Sequence, residues 1–260
     1  MGKIIAVVNQ KGGVGKTTTT INLATALAAI DKRVLIIDSD PQGNASTSFG
    51  LIKETIDHNL YTVLLGNSTI EEAIIKTEVP KLDVISSDMS LAAIEVELIN
   101  VENFRFILEN KITSIQDQYD YIIIDCPPSL GVLTVNALVA SSGIIIPLQC
   151  EFFALEGLKH LIEIFKMVRQ NLNKGLVING IVLTMYDRRN NLTELVEQDV
   201  RKCLGNLVYT TNIPRNVRLS EASSHGKPAL IYDMNCLGSL AYVEMAKEFL
   251  QREQASEMAL

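Results

Sequence analysis

The stretch "VVNQKGGVGKTTTT", from Val7 to Thr20, concentrates the residue types that hold polyphosphates. Gly12, Gly13 and Gly15 let backbone N–H groups converge with no Cβ in the way, and a helix opening near Thr17 would add its positive end. Lys16 would reach the β- and γ-phosphates and the Thr17 hydroxyl would ligate Mg²⁺, with Val14 and Thr18 completing the run around the anion. In the pattern G-x-x-x-x-G-K-[ST], counting back from Gly15 puts Gln10 where the first glycine belongs, followed by a second lysine, Lys11. The cradle is kept, while its start is altered. A dinucleotide fingerprint is excluded, because its third glycine would fall on Thr18.

Two further segments supply acids. "LIIDSDPQGN" sets Asp38 and Asp40 two residues apart at a strand end, so both carboxylates project to one face. "YIIIDCPPS" sets Asp125 at the tip of another apolar strand, where an acid can hold a Mg²⁺ water. Three acids beside one phosphate loop read as a nucleotide site.

The elements that must position these groups show in the pattern of apolar residues. Strands are expected from Lys3, Arg33, Leu82, Tyr121, Gly143, Ile178 and Leu207, several of them apolar at consecutive positions, as for strands covered on both faces. Helices are expected from about Leu155 to Val168, and from near Thr17, Leu91, Thr134, Leu192, Ser220 and Leu237. This alternation predicts an α/β, doubly wound, mostly parallel sheet with helices on both faces and ligands at the carboxyl ends of the strands. Without repeats or linkers, residues 1–260 read as a single domain, with a loose tail from about 251.

Composition agrees. With 47% hydrophobic and 20% charged residues the chain can build a full core. No apolar run approaches a membrane span, and the first residues lack a basic-then-apolar leader pattern, so a cytoplasmic setting is expected. Cys126, Cys150, Cys203 and Cys236 are scattered, as reduced thiols rather than a metal cluster. The net charge of −7 disfavours nucleic acid and anionic membrane for the chain as a whole. From Met185 to Lys227, however, seven cations face five acids, so this segment is +2.

The blocks "KGGVGKTT", "DSDPQGN", "IIIDCPPSLG", "CEFFALEGL" and "IPRNVRLSEASSHGKP" resemble, in the same order, the ParA/Soj family of chromosome- and plasmid-partitioning ATPases, of the deviant Walker A class that also holds MinD-like proteins. The resemblance runs from Met1 to about Leu250 and is closest to short chromosomal Soj-type members; Ser223 stands where the family pattern has proline. It implies a P-loop ATPase that uses ATP and Mg²⁺. Lys11 matches the signature lysine that reaches the phosphates of a partner subunit, and Gly12 the point where two loops meet. Asp40 matches the residue positioning the attacking water, with Asp38 supporting it or the metal shell, and Asp125 the Walker B acid. Pro214 and Asn216 match positions near adenine and ribose.

The resemblance further implies an ATP-dependent homodimer that binds double-stranded DNA without sequence preference through Arg189 and Arg218, helped by Arg188, Arg215 and Lys227. Its slow hydrolysis would be stimulated by a ParB-like centromere-binding protein, and the chain would be nucleoid-associated with no stable membrane association. The alternative is a MinD-like membrane ATPase, which would need a basic amphipathic C-terminal helix. Here Glu244, Glu248, Glu253 and Glu257 outnumber Lys247 and Arg252, which disfavours an anionic bilayer. An iron–sulfur carrier lacks its cysteines, and a tyrosine kinase its tyrosine-rich tail.

Overall fold

Runs such as Ile122–Ile123–Ile124 present apolar side chains to both sides of a strand, and the computed structural model, which describes residues 1–258, covers both sides. The strands are β1 (Lys3–Val7), β2 (Val34–Asp38), β3 (Ile74–Lys76), β4 (Leu82–Ile85), β5 (Tyr121–Asp125), β6 (Gly143–Gln149) and β7 (Val177–Thr184). They form one sheet in the order β3-β4-β2-β5-β1-β6-β7, parallel except for the edge pair β3–β4. The helices of eight or more residues among those described are α1 (Lys16–Ala29), α2 (Val132–Ala140), α3 (Ala154–Asn171), α4 (Asn191–Leu204), α5 (Val217–Ser224) and α6 (Leu237–Met258).

Alternate residues of each central strand enter different cores. Ile4, Ala6, Leu35, Ile37, Ile122 and Ile124 pack with residues of α2, α3 and α4, while Ile5, Val7, Ile36 and Ile123 pack with α1 and α6. Burial on both faces explains why these strands read as unbroken apolar runs rather than alternating ones. Tyr121 meets Phe249 of α6 edge-on at 5.4 Å, joining the sheet to its last helix.

Two expectations differ from the structure. The run from Leu207 makes no strand, and only single bridges, Ile181–Val208 and Tyr186–Pro214, align it beside β7. Its Thr210 and Thr211 N–H groups donate to Glu248 of α6 at 2.8 and 2.9 Å, and Pro214 has no N–H, so a continuous ladder is not available. The helix expected near Leu91 is a 3₁₀ turn, Met89–Ala93, running into one α-turn, Ile94–Glu97. The three-residue strand β3 carries too short a pattern to be read from sequence. The segment after residue 251, expected as a tail, continues α6 to Met258, and its last two positions lie outside the described residues.

Candidate nucleotide site and basic face

Parallel register brings the chemistry together. Val7, the last residue of β1, and Asp38, the last of β2, both pair across to Asp125, the last of β5. The phosphate loop, Asp38 and Asp125 therefore leave the sheet at one level, at the carboxyl edge.

The loop closes by its own bonds. Gly13 and Gly15 sit at φ 73° and 89°, in the left-handed region, and the turn hands over directly to α1 at Lys16. Thr184 Oγ1 donates to the Val14 carbonyl at 2.7 Å, tying the loop to the end of β7. Lys16 is buried, and its Nζ donates to the Lys11 carbonyl at 3.3 Å. Burial lowers the Lys16 pKa, while Asp125 and Asp40 oppose that shift. A Cβ built at Gly12 would meet nothing within 4 Å, so no group of this chain requires glycine there.

The three acids divide their work. Asp38 is fully buried and both its oxygens are engaged: Oδ2 accepts from Ser46 N–H and Oγ at 2.8 and 2.7 Å, and Oδ1 from Asp40 N–H at 3.3 Å. It holds the loop that carries Asp40. Asp40 accepts from Gln42 N–H at 2.9 Å through Oδ1, and lines the phosphate cavity beside Lys16. Asp125 accepts from Thr20 Oγ1 at 3.2 Å through Oδ1, while its buried Oδ2 has no partner. Burial first, then the Asp38 charge, raise the Asp125 pKa, partly offset by Thr17 and Lys16. Burial raises the Asp38 pKa as well. An orphaned carboxylate oxygen next to a threonine hydroxyl is a hard-oxygen donor set that fits Mg²⁺, which takes one or two carboxylates and fills its shell with phosphate and water.

Two cavities meet at this edge. One of about 430 Å³ is walled by Gly12, Gly13, Lys16, Thr17, Asp40 and Pro128. The other, about 300 Å³ and mostly apolar, is walled by Ile213, Pro214, Asn216, Leu219 and Tyr242. Gly15, Thr18 and Met185 line both, so the two adjoin. Asn216 Oδ1 caps α5 by accepting from Arg218 N–H at 2.9 Å. Tyr242 and Thr19 hydroxyls hydrogen-bond at 3.2 Å beneath the second cavity, a support that no motif announces.

Lys11 stands apart. Its ammonium is ion-paired with Glu151, after the end of β6, and its side chain is half exposed. It does not line the phosphate cavity that Lys16 closes.

The chain matches the family model described as "AAA domain" over residues 2–178. It is 52% identical to the chromosome partitioning protein ParA of Caulobacter vibrioides over 254 residues, 97% of this chain and 95% of that one. It is 49% identical to the sporulation initiation inhibitor protein Soj of Bacillus subtilis, over 95% of this chain and 98% of that one. The chain belongs to the ParA/Soj family of partitioning ATPases. Its fold superposes on a crystal structure of cobyrinic acid a,c-diamide synthase from Mycobacterium smegmatis with bound ADP and magnesium, with a TM-score of 0.87, 32% identity, and 98% and 97% of the two chains covered.

The second candidate region is the basic face. Arg188, Arg189 and Arg215 line a groove of about 550 Å³ that adjoins the apolar cavity, with Pro214 and Arg215 lining both. Arg218, on α5, lies outside that groove, and Lys227 follows α5. Two of these cations are already paired: Arg189 with Asp187 at 2.9 Å, and Arg218 with Glu221 at 2.8 Å and Asp233 at 3.6 Å. Arg189 holds the Asp187 carboxyl down at about 2. No helix among the described residues is long and apolar enough to cross a membrane.

Proposed function

We propose that the chain is a DNA-partitioning ATPase in which two copies enclose two ATP molecules, and that only this dimer holds DNA. Lys11 carries the reading: its ammonium sits outside its own phosphate cavity, on Glu151, where release would let it cross to another copy. Two Mg²⁺–ATP sites face to face keep excess negative charge, so lysines crossing between them make ATP part of the interface. The open space around Gly12 supports the same reading, since a side chain there would clash with nothing in one chain.

Within each site Lys16 and the N-terminus of α1 hold the β- and γ-phosphates, and Thr17 and Asp125 would hold Mg²⁺, which would supply neutralisation of the charge on the phosphate oxygens. Asp40 orients a water toward the γ-phosphorus. The water oxygen bonds to phosphorus, the bond to the β,γ-bridging oxygen breaks, and ADP and phosphate leave. Asp38 fixes Asp40 through the loop. Adenine and ribose occupy the apolar cavity, where the Asn216 side chain, its oxygen already used in capping, still offers N–H donors.

Among the described residues that line the phosphate cavity Lys16 is the one cation, so turnover is slow until a ParB-like partner assists. DNA binds through Arg189 and Arg218 with help from Arg188, Arg215 and Lys227, which places the dimer on the nucleoid in the cytoplasm. Few cations per copy make monomer binding weak, and pairing two faces raises the effective concentration of the second for the same duplex. The acid-rich α6 supports this DNA reading over a membrane one.

The test is sedimentation and DNA binding measured with ADP, ATP and a slowly hydrolysed analogue. Dimer and DNA affinity should appear together with ATP and the analogue and be absent with ADP. A dimer without DNA affinity would favour the MinD-like alternative.

A further inference from the structure

The segment that follows β4 has an apolar outer side with nothing of this chain upon it. In and just after the turns Met89–Ala93 and Ile94–Glu97, Leu91, Ile94 and Leu98 are buried in the core. Ala92, Val96 and Ile99, at steps of four and three, fall on the opposite side, which a surface helix ordinarily fills with polar groups. Val96 is 75% exposed, Met89 63% and Ile99 57%, and Val101 is exposed after them. Acids frame these side chains: from Ser86 to Phe104 the chain carries Asp88, Glu95, Glu97 and Glu102 and no Lys, Arg or His. The cations bordering the segment are turned elsewhere, Lys53 onto the Gln42 carbonyl at 2.6 Å and Arg105 over the Phe104 ring.

The inner side of the same segment holds the surroundings of both catalytic loops. Ser87 Oγ donates to the Asp40 carbonyl at 2.6 Å. The Ser87 N–H donates at 3.2 Å to Ser46 Oγ, the hydroxyl that holds Asp38. Further on, Glu95 accepts from the Val132 N–H at 2.8 Å, fixing the start of α2 just beyond the loop that follows Asp125.

We propose that the outer face of residues 89–101 docks a basic, apolar-faced segment of another protein, and that docking there sets the Asp40 and Asp125 loops together for hydrolysis. The inference rests on the reading that a partner assists turnover, and it names where that partner sits and by what chemistry. An acidic frame repels DNA and anionic lipid, and it repels its own copy across a twofold axis, so the incoming segment must bring cations. The apolar stripe calls for apolar side chains at matching three- and four-residue steps, the form of a helix laid along a surface. A partner that binds more tightly when Ser87 and Glu95 hold the loops in their productive arrangement shifts the population toward that arrangement. No partner group then has to enter the phosphate cavity.

Stimulated hydrolysis on DNA tests this, with a purified ParB-like protein as the probe. In Val96→Ser/Ile99→Ser and, separately, in Glu97→Lys/Glu102→Lys, basal turnover, ATP-dependent dimerisation and DNA binding should match the parent. The concentration of ParB-like protein giving half-maximal stimulation should rise by about tenfold or more in each, as when interface anchors are removed, with the maximal rate recovered at saturation. An unchanged half-maximal concentration in either variant overturns the docking face alone. So does a fall in basal turnover that matches the loss of stimulation, since the segment would then act only as structure. A parent chain whose turnover the ParB-like protein does not raise overturns the assisted-turnover reading, and the docking face with it.

Discussion

The phosphate edge and the basic face use charge in opposite ways. At the phosphate edge Lys16, Asp38, Asp40 and Asp125 are buried, held by strand ends and internal hydrogen bonds, and ready before ligand arrives. On the basic face Arg189 is 89% exposed and leans on Asp187, two residues away, while Arg218 is half exposed and leans on Glu221 and Asp233. Buried charge in a fixed frame gives large effects per residue. Exposed, locally paired charge gives small ones and works by number. One region suits chemistry, the other reversible attachment to a polyanion.

The contrast predicts a graded series of effects. The largest follows Lys16→Ala, which removes charge-assisted bonds to two phosphates; ATP affinity measured by calorimetry should fall by about a hundredfold or more. Next is Asp40→Ala, where single-turnover hydrolysis should drop by about 10²-fold or more while the ATP dimer persists on DNA. Unchanged turnover would remove Asp40 from the water-positioning role.

The basic face should yield only in sum. Arg189→Ala with Arg218→Ala removes four cations per dimer, so the log–log salt slope of DNA binding should become shallower by roughly 3–4, at about 0.9 per lost phosphate contact, with ATP-dependent dimerisation kept. Either single substitution should do about half of this. A single variant that abolished binding would contradict the comparison.

The smallest effect concerns the cost of keeping the pocket ready. Burial lifts the Asp125 pKa from 3.8 to about 8, so the folded chain holds that proton more tightly than the unfolded one. Stability from that proton is full below about pH 4 and is lost as pH rises toward 8. Without nucleotide or Mg²⁺ at pH 8, Asp125→Asn should therefore melt later, by about 2–4 °C for each kcal/mol relieved. The same change should weaken Mg²⁺–ATP binding.

Much of the phosphate edge is legible in the sequence, because its residues are contiguous and its strands are apolar on both faces: "GGVGKTT", "LIID" and "YIIID" each carry element and site together. Less legible is anything decided by contacts far along the chain. Glu248 of α6 claims the N–H groups of Thr210 and Thr211, and the expected strand there does not form. Asp38 looks in sequence like a second chemical acid, yet Ser46, eight residues on, takes one of its oxygens with two donors. The pairing of Arg189 with Asp187 lies within two residues, but charge counting alone reads them as separate contributions. The Tyr242–Thr19 bond spans 223 positions, and no local pattern marks it.

In the proposed dimer Lys11 serves a neighbour's nucleotide and not its own. Sedimentation velocity of Lys11→Ala with a slowly hydrolysed ATP analogue, alongside calorimetry of the same sample, tests it most directly. Lys11→Ala should be a monomer that binds the analogue nearly as well as the parent monomer does, under conditions where the parent chain is dimeric. A Lys11→Ala chain that dimerises like the parent would contradict it.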